Sequence, residues 1–163
     1  RRTGYDGGPD EEGRTMSDTT GLAPGEVLVR GAGSRYGQDI STAGHRLLAD
    51  EPAAQGGDDT GPAPYEFLLA ALGACTAMTI RMYAERKGFA LRDVRVRLAH
   101  SKLHAEDCRE CETRAGKVDQ IVRIITLEGE LSAAERERLF EIANRCPVHR
   151  TLAGEIRIVS RLA

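Results

Sequence analysis

The chain has 163 residues, with 23 lysines and arginines against 25 aspartates and glutamates and a net charge of −2. That length can bury a core within one domain, and the near balance of charge argues against a nucleic-acid binder, which carries a basic surplus. Four unevenly spread cysteines and no secretory hydrophobic segment exclude a disulfide scaffold and point to a reducing cytoplasm.

Residues 1–25 are rich in Gly, Asp, Glu and Thr and offer almost nothing to a core. They read as a disordered leader or an appended extension ahead of a folded domain spanning 26–163. From Glu26 onward, "EVLVRGAG", "YGQDIST" and "HRLLADE" are short apolar runs separated by glycine-rich punctuation, the pattern of an antiparallel meander. "PAAQGGDDTGPAP" is a long loop with several turn formers.

A helix is predicted from about Ala63 to Lys87, with Gly88 at the C-cap position. Between Phe67 and Ile80 it is apolar on nearly every side. Gly73, Thr76 and Thr79 interrupt that stretch, which falls short of the roughly 20 residues needed to cross a bilayer. No membrane partner is expected. An ordinary surface helix buries one stripe, so this one needs more cover than a small chain supplies, and a second copy, giving an intertwined homodimer, is expected to provide it. A helix sandwiched inside one monomer is the alternative. Cys75 lies in its middle, where a thiol is either inert packing or a reactive group in a subunit seam.

"LRDVRVRLAHSKLH" alternates, with Val94, Val96, Leu98, His100, Lys102 and His104 facing one way and Arg95 and Arg97 the other, as in a half-buried strand. "KVDQIVRIITLEGEL" is a second strand. Between them, His100, His104, Cys108 and Cys111 are the residue types that hold zinc. His100 and His104 on one strand would lie about 13 Å apart, too far to share an ion. The readings left open are a metal site on His104, Cys108 and Cys111, a redox-active Cys-x-x-Cys, and a solvated loop. No metal and no cofactor are assigned.

Ser132 and Glu135 form a capping-box signature for a helix whose Leu139, Ile142, Ala143 and Cys146 share one face. In "NRCPVHRTL", Pro147 suits the first position of a new helical turn, which places Cys146 at a helix start where a thiolate is favoured. A small buried hydrophobe at a helix junction is the alternative. "EIRIVSRL" is a predicted final strand. The order of strands, helix, strands, helix and strand is that of an α+β fold.

Two long stretches, "GPAPYEFLLAALGACTAMTIRMYAERKG" and "RERLFEIANRCPVHRTL", together resemble the OsmC/Ohr family of osmotically inducible and organic hydroperoxide resistance proteins. "LLADEP", "GGDDTGPAPYE" and "HAEDCRECE" are similar to the branch also found fused to α/β-hydrolases. The resemblance implies an OsmC-like fold, with antiparallel sheets packed on a long central helix in an intertwined homodimer. It implies thiol-dependent reduction of organic hydroperoxides, with Cys75 as the peroxidatic thiol, Cys146 as the resolving thiol and a dithiol reductant as a further partner. It also implies an Arg–Glu pair that holds the thiolate. Glu66 matches the glutamate. Nine helical residues, about 13 Å, separate it from Cys75, so only a two-fold partner could bring the two together. For the arginine, Arg46 is assigned from "HRLLADEPAAQGG", with Arg30, Arg35 and Arg150 as alternatives. Asp50 and Glu51 stand where a cation is sought. Two other readings remain: a non-catalytic module binding a small molecule, and a thiol or metal sensor built on Cys108 and Cys111.

Overall fold

The computed structural model describes residues 21–107, 113 and 115–162. Most of the leader, and Cys108 and Cys111 with the readings placed on them, lie outside the described residues. The chain divides into two units, 1–64 and 65–163.

In the first unit, β1 (Val27–Gly31), β2 (Gln38–Thr42) and β3 (Arg46–Ala49) form the predicted antiparallel meander in that order. Val29 pairs with Ile40, and Ile40 with Leu47. Val27, Val29, Leu47 and Leu48 are exposed, whereas Asp39 and Ser41 are buried.

The following loop is tightly tied. Asp50 is buried, and its carboxylate accepts hydrogen bonds from the backbone N–H groups of Glu51, Asp58 and Thr60 at 2.8, 3.1 and 3.3 Å and from the Thr60 hydroxyl at 2.9 Å. Burial opposes its ionisation, but the Thr60 hydroxyl and the three amides together hold it below its usual range. Asp50 is therefore the staple of this loop. Gly57 lies so close to the Glu51 carbonyl that a Cβ there would strike backbone. Asp50→Ala should free the loop and sharply increase its cleavage in limited proteolysis with the other elements intact; unchanged protection would remove the staple. The sign of the shift places acid loss of this contribution below the ordinary aspartate range, as pH falls through the lowered value.

In the second unit, α1 (Pro64–Lys87) spans 24 residues and ends at Gly88, whose φ of 69° is the left-handed conformation glycine adopts readily. By length and composition α1 could cross a bilayer. Here Leu72, Gly73, Thr76, Ile80 and Ala84 are buried along one stripe, while Met78 and Met82 on the remaining surface are 64% and 69% exposed. β4 (Leu91–His104) and β5 (Lys117–Gly129) pair antiparallel, Leu98 opposite Arg123. The predicted alternation in β4 holds as far as His100. Beyond it Leu103 is the half-buried residue, and Lys102 and His104 face solvent.

α2 (Ala133–Ala143) begins in the expected capping box, with Ser132 N–H donating to Glu135 at 2.7 Å and Glu135 N–H to the Ser132 hydroxyl at 3.2 Å. Ile80, Ala84, Leu139 and Ala143 form the core, flanked by Phe89, Val94, Ile125 and Leu127. α3 (Pro147–Leu152) opens on Pro147, as predicted. The predicted final strand is corrected: residues 155–162 form no strand, and Ile156, Ile158 and Val159 are exposed. Alternation expresses a preference that becomes a strand only where the segment pairs, and among the described residues β4 and β5 pair with each other and not with this segment.

Candidate functional site

Two turns of structure bring the distant thiols together. Cys75 is on α1, half-buried; Cys146 is the N-cap of α3 and wholly buried. The His149 N–H donates to Cys146 Sγ at 3.4 Å, and the Val148 N–H reaches both sulfurs. The two thiols act on each other's charge, and Thr79 lies beside Cys75.

Charge in this pair belongs on Cys146. Burial raises Cys75, and so does its neighbour Cys146, since two adjacent thiolates repel. Burial opposes charge on Cys146 too, but Cys75, the His149 amide and the Thr76 hydroxyl all stabilise charge on it and pull it below the ordinary thiol value.

The cation behind this arrangement is Arg123, which the sequence reading missed. One guanidinium nitrogen donates to the Thr76 hydroxyl at 2.9 Å and the Ala143 carbonyl at 3.3 Å, the other to Asn144 Oδ1 at 2.7 Å. Thr76 is buried and bridges onward to Cys146, so a fixed positive charge lies one hydroxyl away from the sulfur. Arg123 also pushes down His149, after burial, which favours a neutral ring. A signal was present in "QIVRIIT": Ile121, Arg123, Ile125 and Leu127 share the half-buried face of β5. A charge in an apolar stripe demands a partner.

The other candidate residues are placed as follows. Glu66 is in the first turn of α1, on the same continuous helix as Cys75. Arg46 pairs with Asp39 at 3.3 Å. Arg30 lies on β1, Arg35 over the Tyr36 ring and Arg150 on α3. His100 bonds to Asp119 at 2.8 Å and stacks on Tyr65, while β4 runs unbroken through His104. Among the described residues, no three His, Cys, Asp or Glu side chains are grouped to hold a metal ion.

The family model described as OsmC-like protein matches residues 56–161. Solved structures share the fold. An OsmC-like protein from Mycoplasma pneumoniae superposes with a TM-score of 0.62 at 18% identity, covering 79% of this chain and 86% of its own. The organic hydroperoxide resistance protein OsmC from Legionella pneumophila gives 0.58 at 22% identity, over 79% and 88%. The organic hydroperoxide resistance protein OhrB of Bacillus subtilis gives 0.54 at 19% identity, over 79% and 90%. No curated protein sequence matches the chain.

Proposed function

The chain belongs to the OsmC-like protein family, and from that membership we propose that it is a thiol-dependent peroxidase that reduces organic hydroperoxides through Cys75 and Cys146. The observation that carries this reading is a pair of interacting free thiols with unequal exposure: the reachable sulfur is Cys75, and the sulfur that favours charge is Cys146.

That division assigns the steps. Cys146, as thiolate, takes the Cys75 proton. Cys75 thiolate attacks the distal peroxide oxygen; the O–O bond breaks, the alkoxide leaves and takes the proton held by Cys146, and Cys75 becomes a sulfenic acid. Cys146, again a thiolate, attacks that sulfur; the S–O bond breaks and hydroxide leaves, taking a proton from solvent to become water, and the disulfide is formed. A dithiol reductant attacks the disulfide, is oxidised to its own disulfide and returns both thiols. Arg123 and Thr76 keep Cys146 ionised and so ready to attack the sulfenic acid.

Glu66 and Arg46 remain in the proposed site. Glu66 would act on Cys75 of a two-fold related copy, and Arg46 would have to leave Asp39 to do so. The exposed half of α1 and the bare apolar residues of β1 and β3 support a homodimer, because an apolar surface of that kind favours burial. A cytoplasmic setting fits a cycle that a thiol reductant must restore.

One equivalent of cumene hydroperoxide, a neutral organic hydroperoxide, added to the reduced protein should consume both thiols, remove two hydrogens from the mass and leave one Cys75–Cys146 cross-link in a peptide map. Retention of both free thiols would overturn the reading. A second reading, a non-catalytic module for a small apolar molecule, draws support from a groove of about 360 Å³ that includes Ala70, Gly73, Ala74, Ala77 and Leu98. Hydroperoxide-independent binding there without thiol oxidation would favour it.

A further inference from the structure

A larger cavity, about 620 Å³, lies between α1 and the α2–α3 junction. Its walls carry four cations, Arg86, Lys87, Arg138 and Arg145, together with the apolar Met82 and Ile142. Thr79 and Pro147 tie it to the thiols: Thr79 lines the cavity and lies beside Cys75, and Pro147 follows Cys146.

The cations are gathered around Tyr83, which also faces the cavity. Arg86 and Arg138 lie 5.3 and 5.4 Å from its ring centre, and Arg138 Nε donates to its hydroxyl at 3.0 Å. Arg138 also pairs with Glu141 at 2.6 Å. Arg86, Lys87 and Arg145 have no carboxylate within ion-pair distance among the described residues. The C-terminal ends of α1 and α2 account for part of this charge, about half a unit each, and Glu141 for one more. About two positive charges remain unanswered beside an apolar wall.

We propose that this cavity is a subsite for an organic anion, a carboxylate head on Arg86, Arg138 and Arg145 with a short apolar body against Met82 and Ile142. The proposal rests on the peroxidase reading for its purpose: the anion would belong to the hydroperoxide or to the thiol reductant. The volume lies within the range of small-molecule sites, and a guanidinium suits a planar carboxylate.

Binding can be measured without turnover, so its outcome stands apart from the peroxidase reading. Calorimetry with octanoate and with 1-octanol should show octanoate binding at least about tenfold tighter and weakening as salt rises. The double variant Arg86→Gln/Arg145→Gln, both at exposed positions, should lose about tenfold or more of octanoate affinity with its melting temperature unchanged. Equal binding of acid and alcohol, or undiminished octanoate binding by the variant, would overturn the subsite. Two kinetic arms locate the source. With neutral dithiothreitol, a carboxylate-bearing hydroperoxide is compared with its methyl ester; with neutral cumene hydroperoxide, a carboxylated dithiol is compared with its amide. The arm in which the double variant raises KM for the acid alone identifies the anionic partner.

Discussion

Cys75→Ser is expected to reduce turnover of organic hydroperoxide to the uncatalysed rate, whatever the reductant. Cys146, the only other thiol of the site, is wholly buried, so a peroxide cannot reach it when Cys75 is gone. Cys146→Ser should behave differently. Cys75 keeps its exposure and loses the neighbour that holds its pKa up, so the first oxidation should persist at neutral pH. It should then consume about one equivalent and stop. The sulfenic acid has no neighbouring thiol to condense with, and further peroxide should convert it to sulfinic acid, seen as two added oxygens on the Cys75 peptide. Rapid scans of peroxide loss and peptide mass together separate the two variants. Unimpaired cycling of Cys146→Ser with a dithiol would remove Cys146 from the mechanism and make it a packing residue.

Much of this site was legible in the sequence because its parts are local. The helix from Pro64 to Lys87 is bounded by Pro64 and Gly88 and filled with helix formers, and the capping box announces α2 within four residues. Pro147 after Cys146 marks a helix start for the same reason, a missing N–H that costs nothing there. What could not be read is long-range. Arg123 reaches Thr76 and Asn144 across 47 and 21 residues: alternation along β5 indicates its half-buried face, but no local pattern names its partners. The aspartate in "LLADEP" is a similar case: as sequence it looked like a missing cation, but Asp50 binds amides up to ten residues ahead. The C-terminal "EIRIVSRL" misled in the opposite direction, since alternation reports a preference and a strand needs a partner.

Arg123→Met is expected to shift the pH profile of disulfide formation from the Cys75 sulfenic acid upward and to lower the rate of that step at pH 7 by about tenfold. One pKa unit corresponds to that factor when the rate follows the thiolate fraction. The guanidinium favours negative charge on Cys146, directly and through Thr76, so its removal raises Cys146 toward the ordinary thiol range. The loss should vanish at high pH, where the thiols ionise without help. A purely structural residue would lower the rate at every pH and leave the midpoint in place. Asn144→Ala is the control: it removes the 2.7 Å anchor while leaving the charge, so stability should fall with little movement of the midpoint. Arg123→Lys should restore most of the pH shift but not all of the stability, because an ammonium is a point charge and cannot span Thr76, Ala143 and Asn144 as the planar fork does. An Arg123→Met profile that superposes on the native one after scaling would show that Arg123 only braces the α2–α3 junction. The electrostatic support for the thiolate would then have to come from Arg46, and Arg46→Met should move the midpoint instead.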